Sequence, residues 1–473
     1  MKIARTIVVS VLSLLGIYII ILGPRAIDKT PTDAVVIDYW EKWTGDEGTD
    51  MGTIVNDFNT TVGLQKHIFV RYISTSNCNQ KTLIATASGI PPDVAGLYDG
   101  NLVQFASRDA LMPLDQLAAD CPDLTIDKNL YKPVYWDACH YHGHLYALVS
   151  TPATIALIYN KKIFHDNADK LRAAGCDPDR APQTLDELDK YAAALDDIAP
   201  DGHIIRAGFL PLEPGWYTNE LPFWFGGSWW DDKTQKLTLT DPKVVAAFDW
   251  VRSYSTRLGK EAVTSFRSGA GNFDSPQNPF LSGTVAMEMQ GPWMALFIAK
   301  YKPDMVHDWA AAPFPSAVPG LKNVTYAPFD TFVIPAGAKH PKEAFEFMAY
   351  CNRQDVMEKL CSLHCKNSPL QKVSEAFYQN HPNPFVRVFD DLAASPNARA
   401  YPQCPVANEV SDEIANAVQQ IAQLRQSTND ALLAAQTRTS EQLVHFNELQ
   451  AVRHPEFADR SPHDSPASLA VAH

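Results

Sequence analysis

Three segments of the 473-residue chain place flat aromatic rings beside carboxylates. "YWEKWTGDEG" carries Trp40, Glu41, Trp43, Asp46 and Glu47; "LYDGN" carries Tyr98 and Asp99; "EPGWYTNELPFWFGGSWWDD" carries Glu213, Trp216, Tyr217, Trp224, Trp229 and Trp230. Trp293 follows "AMEMQGP". A pyranose ring has an apolar C–H face and a rim of hydroxyls. Indoles can cover the face while carboxylates and amides hydrogen-bond the rim. Trp43, Trp216 and Trp293 are expected in a pocket of that kind, and Trp224, Trp250 and Trp309 in the core. Two other clusters invite a metal. His140, His142 and His144 alternate in "CHYHGHLY", but His142-Gly143 reads better as a hairpin turn that scatters them. Cys361, His364 and Cys365 in "CSLHC" do not complete a tetrahedral site, and packing or a disulfide explains them better. There is no HExxH, GxSxG, GxxxxGK[ST] or GxGxxG, and no cofactor is implied.

Elements that could position those rings alternate along the chain. "AVVIDYW" (34–40), "KHIFVRYI" (66–73) and "DVAGLY" (93–98) read as strands, separated by helical spacing at Ile54, Val55 and Phe58 and by a small-residue helix over 83–87. This β-α-β-α-β order implies a mostly parallel sheet with helices on its faces. Ligands sit beyond the carboxyl ends of such strands, which singles out the loops after Trp40 and Leu97. Thr184 with Glu187, Asp241-Pro242 and Pro341 mark helix starts. Residues 411–449 read as helical, and 459–473, rich in Ser, Pro and Ala, as a disordered tail.

The length favours two domains, and 46% hydrophobic with 20% charged residues describes a globular chain with a large core. A net charge of −14 without a basic stripe argues against a nucleic-acid partner. Residues 6–23 carry no charge and follow Lys2 and Arg5. That places 1–27 at the border between a cleaved signal peptide and a membrane anchor helix, and the rest of the chain in the periplasm or at the cell exterior.

The chain resembles the extracellular solute-binding proteins of the sugar-binding type, similar to the maltose-binding protein group that serves ABC importers. "FLSGTVAMEMQGPWMALFI" (280–298) carries the most specific match. "ATASGIPPDVAGLY" (85–98), "GHLYALVSTPATIALIYNKKIF" (143–164), "PQTLDEL" (182–188) and "TFVIPAGAKHPKEAFEFMAY" (331–350) follow in order and spacing. The resemblance implies an α/β, two-lobed periplasmic-binding-protein (type II, Venus flytrap) fold with a ligand cleft between the lobes, preceded by the N-terminal hydrophobic helix. Expected crossings lie near 147–152, 309–313 and 335–339. They give one lobe of 33–148 plus 312–336 and another of 149–311 plus 337–450.

Ligand-binding residues implied by the resemblance are Trp40, Glu41 and Trp43 after the first strand, Tyr98 and Asp99 after the third, Trp216 and Tyr217 in the second lobe, Trp293, and Phe329 and Asp330 on the returning strand. Tyr401 is a further aromatic of the pocket. The implied function is import of a sugar or oligosaccharide by hinge closure, without catalysis, by a monomer that meets ABC permease subunits. The acids leave two alternatives open: the same fold binding a polyamine, cation or metal, or a secreted carbohydrate-active enzyme.

Overall fold

The computed structural model describes residues 31, 33–271 and 273–453; the expected leader (1–27) and tail (459–473) lie outside them. Eight strands carry the architecture: β1 Val35–Glu41, β2 Ile68–Ser74, β3 Val94–Tyr98, β4 Leu148–Pro152, β5 Ala156–Asn160, β6 Met287–Gln290, β7 Trp309–Ala312 and β8 Phe329–Val333. The helices used below are α1 Gly45–Thr60, α2 Cys78–Ala87, α3 Asp99–Ala106, α4 Pro242–Leu258, α5 Met294–Tyr301, α6 Pro341–Cys351, α7 Gln354–Leu363, α8 Ala407–Ala422 and α9 Thr428–Arg453.

One sheet has the order β2-β1-β3-β8-β4 and a second the order β6-β5-β7. β1 runs parallel to β2 and β3, whereas β8 runs antiparallel to β3 and β4. The first sheet is therefore mixed, because β8 returns from the other lobe instead of following a crossover helix. Burial alternates along β1, with Ile37, Tyr39 and Glu41 inward. Met51, Ile54, Val55 and Phe58 form one face of α1, the 3.6-residue period of a helix laid on a sheet. Asp241 caps α4 by accepting from the Lys243 N–H at 2.8 Å, and Pro242 supplies the preset first turn.

Each sheet has its own apolar core. The chain leaves the first sheet after β4, and the crossing is paired with a second one: Ala153 N–H donates to Pro328 O (2.8 Å) and Ile155 N–H to Tyr326 O (2.9 Å). A third segment lies beside them, where Thr325 pairs with Ala398 and Ala327 N–H donates to Arg399 O at 2.8 Å. Two of the expected crossings fall elsewhere. β7 (Trp309–Ala312) pairs with β5 in the second sheet, and Pro335 bridges Leu111 in the first lobe. The reason is the apolar face of α6: Phe347 packs 5.5 Å from Tyr39 and 5.2 Å from Phe58. With α7 it covers the first sheet, so residues 341–363 belong to the first core, not to the second lobe.

The hairpin 140–141/144–145 turns on His142 (φ 48°) and Gly143 (φ 81°), the doubly left-handed turn favoured between twisted strands. His140 then bonds Trp136 O at 2.7 Å and His144 faces Asp115 at 3.3 Å, so the three imidazoles share no centre. All eight cysteines are free thiols. Trp224, Trp250 and Trp309 are core residues. No helix among the described residues is long and apolar enough to cross a membrane.

Candidate functional site

The loop between β1 and α1 meets β8 in a buried ionic hub. Lys42 Nζ lies 2.8 Å from Asp330 and 3.2 Å from Glu41. Lys366 lies 2.9 Å from Glu47 and 3.6 Å from Asp330. The Trp43 indole N–H donates to Asp330 at 3.3 Å and the Thr151 hydroxyl at 3.4 Å, so the hub reaches the crossing strand β4. Burial disfavours charge on Asp330, but Lys42 and Lys366 prevail and hold its carboxyl below the usual range. At Glu41 burial wins over Lys42 and raises the carboxyl. Glu41 occupies the space over Gly96, where a Cβ would lie 1.9 Å from Oε2, and accepts from the Tyr39 hydroxyl at 2.5 Å. His364 stacks edge-on against Trp43 at 4.7 Å; burial pushes its imidazole down to about 4 despite Glu47.

These contacts revise part of the expected site. Glu41, Trp43 (5% exposed), Phe329 and Asp330 are packed within the first lobe, where Phe329 meets Tyr135 edge-on at 5.7 Å. A tryptophan expected to face a pocket is thus seated on its own lobe, because Asp330 offers its N–H an acceptor. Trp40 is half-buried, its N–H unpartnered.

Other expected residues face open space. Tyr98, 55% exposed, ends β3 beneath the Lys42 ammonium, 4.5 Å from its ring. Trp216, 50% exposed, rests edge-on against Phe273 at 4.4 Å. Phe273 leads through Phe297 (5.0 Å) to Tyr301, next to Lys300, whose Nζ reaches Asp46 of the first lobe at 2.6 Å. Trp293, half-buried, sits against Gly291, where a Cβ would come within 2.0 Å of the indole.

A second group of acids draws on both lobes. Asp99 opens α3; Tyr401 packs against Gly100 beside it, 3.3 Å from where a Cβ would sit. Asp99 Oδ2 is shielded without a hydrogen-bond partner, and burial pushes the carboxyl up to about 7, opposed by backbone N–H groups of Gly100, Tyr401 and Phe329. From the second lobe, Glu220 (2% exposed) and Glu288 (1% exposed) are buried. Burial pushes each up to about 8, with Asp99 adding to Glu220 and Glu213 to Glu288. Glu288 Oε2 has no partner. Tyr217 and Tyr326 stand 6.3 Å apart edge-to-face, and Tyr326 and Tyr401 6.4 Å.

The expected set contained Asp99 and Tyr217 and, as an extra, Tyr401. It missed Glu220, Glu288 and Tyr326. A glutamate inside the apolar run "AMEMQ" was the available signal for Glu288, since a lone carboxylate in a buried strand needs a reason. Among the described residues no group of three His, Cys, Asp or Glu is placed to hold a metal ion.

The pattern described as bacterial extracellular solute-binding protein matches residues 30–358. The chain belongs to that family. This solute-binding protein is 26% identical over 263 residues to the maltotriose-binding protein of Pyrococcus abyssi, a match covering 55% of the chain and 50% of that protein. It is 22% identical over 270 residues to the sn-glycerol-3-phosphate-binding periplasmic protein of Pectobacterium atrosepticum, covering 54% and 55%. It spans about half the length of these relatives. Two solved structures share its fold over more of the chain. A mannotriose-bound protein, CpMnBP1, superposes with a TM-score of 0.73 at 25% identity, covering 85% of this chain and 99% of that one. The sugar-binding protein MalE of Xanthomonas citri gives 0.69 at 20%, covering 90% and 100%.

Proposed function

We propose that this protein is the extracytoplasmic solute-binding component of an ABC importer and holds a sugar or oligosaccharide between its lobes without catalysis. One observation carries the proposal: Tyr98 of the first lobe and Trp216 of the second leave large apolar rings open to solvent, on either side of a junction bridged by Lys300 and Asp46. Such rings suit the C–H face of a pyranose. The maltotriose- and mannotriose-binding proteins support the same ligand class. Solute touching both lobes favours the joined form, which permease subunits distinguish from the open one.

A phosphate-bearing solute, as in the glycerol-3-phosphate relative, fits less well, because Lys42 and Lys366 are already paired with buried carboxylates. The N-terminal segment would carry export and, uncut, tether the protein to the membrane. Residues proposed to touch the solute are Trp40, Tyr98, Asp99, Trp216, Tyr217 and Trp293, with Glu41, Trp43, Phe329 and Asp330 supporting them from behind.

The test is a saccharide panel read by tryptophan fluorescence and thermal shift, with product analysis after prolonged incubation. One saccharide should shift both signals and be recovered intact, and Trp216→Ala should weaken the response at an unchanged melting temperature. A panel that moves neither signal, or a saccharide recovered cleaved, overturns the proposal.

A further inference from the structure

The acids of these two clusters have different fates. Glu41, Glu47 and Asp330 are each met by a lysine. Asp99, Glu220 and Glu288 are met by none: no lysine or arginine among the described residues makes an ion pair with any of them. Two of these three keep a shielded, unpartnered carboxylate oxygen. Around them stand phenol rings. Tyr217, Tyr326 and Tyr401 follow one another at 6.3 and 6.4 Å, and neither the Tyr217 nor the Tyr326 hydroxyl bonds any described residue. Asp99 belongs to the first lobe and Glu220 to the second, yet the Asp99 charge reaches Glu220. Bringing the lobes together therefore sets two carboxyls against each other in a shielded place, where each keeps its proton unless a cation takes its place.

A neutral sugar can hydrogen-bond a carboxylate but cannot cancel its charge. An ammonium group does both, and the ring faces of tyrosines attract it as well. We propose that the solute is a basic saccharide, an amino sugar or an oligosaccharide containing one, whose ammonium group sits between Asp99 and Glu220 within the Tyr217–Tyr326–Tyr401 cage. This inference rests on the saccharide reading above and narrows it. The acids on the two lobes are the halves of one receptor, so closure and recognition of the ammonium are the same event. Glu288, on the Tyr217 side, takes a second donor of the solute.

The experiment is titration calorimetry of the full chain at pH 7.5. The probes are glucosamine, galactosamine and mannosamine with the glucosamine dimer and trimer, their N-acetylated counterparts, maltotriose, mannotriose, and spermidine. An amine saccharide should bind at least tenfold more tightly than its N-acetylated counterpart. Asp99→Asn and Glu220→Gln should each erase most of that ratio, while the unliganded variants melt no lower than the parent, having lost a repulsion. Acetylated or neutral saccharides binding as tightly as the amines would overturn this inference and leave the saccharide reading standing. Spermidine binding with no saccharide binding would overturn both. No binding by any amine saccharide, or an Asp99→Asn variant that keeps the full amine preference, would overturn the inference.

Discussion

Asp46, in the first turn of α1, and Lys300, near the end of α5, form an ion pair of 2.6 Å that joins one lobe to the other. Both side chains are about half-exposed, so water and salt screen the pair. Lys300→Ala is expected to weaken solute binding only a few-fold, and 0.5 M salt added to the parent should reproduce most of that loss. Calorimetry at two ionic strengths checks it; a loss that salt does not reproduce would mean that Lys300 touches the solute.

Asp330 is the opposite case. It is buried and faces Lys42, Lys366 and the Trp43 indole at once. Asp330→Asn keeps hydrogen-bonding atoms but leaves two buried ammonium groups short of charge. Removing one partner from such a cluster costs about 3–5 kcal/mol. The urea midpoint should fall accordingly, with the slope of the transition unchanged.

The pH dependence of stability has a definite sign. The folded values of Asp99 (about 7), Glu220 and Glu288 (about 8 each) stand above ordinary carboxyl values. The native state therefore binds more protons than the unfolded chain. That contribution is complete below about pH 4 and disappears as pH rises through 7 to 8. His364, lowered to about 4 by burial, works the other way, losing its contribution only as pH falls below about 6.5. The unliganded protein should melt lower at pH 8.5 than at pH 6.5. The Asp99→Asn/Glu220→Gln/Glu288→Gln triple variant should lose the carboxyl part of that drop and keep only the part due to the buried thiols, which burial also raises.

Two glycines separate packing from binding. A Cβ at Gly96 would lie 1.9 Å from Glu41, so Gly96→Ala must dislodge a buried carboxylate from Tyr39 and Lys42. Destabilisation of about 2 kcal/mol or more is expected, read in a denaturant titration. At Gly291 the obstacle is the half-buried Trp293 ring, 2.0 Å away, which can swing outward. Gly291→Ala should change the tryptophan emission and the solute response while shifting the melting temperature little.

Strands β1, β2 and β3 were legible because their apolar runs are local and end at turn residues. Helix starts at Asp241-Pro242 and Pro341 were legible for the same reason: a cap is a property of neighbours in sequence. The fate of Trp43 was not. Its partner, Asp330, lies 287 residues away, and only folding decides that this indole faces an acid of its own lobe. The last crossing was misplaced because apolar faces on α6 and α7 say that they must pack, but not against which sheet. Of the acids, Asp99 was found from its place at the end of a strand. Glu220 stands in a segment dominated by aromatic residues, where a carboxylate directly before "LPFWF" is itself the unusual feature.

Helix α3 begins with Asp99 at the lobe junction, and the chain just past its other end is held by the second lobe. Arg108 faces Glu409 of α8 at 3.8 Å and the Phe446 ring of α9 at 5.6 Å, while Gln450 donates to Ser107 O at 2.7 Å. Wherever these contacts form only with the lobes joined, they favour that arrangement before any solute binds. Such a preload makes every solute bind more strongly by the same factor and so leaves the choice among them untouched. Selectivity is decided at the tip of the rod, and overall grip at its heel.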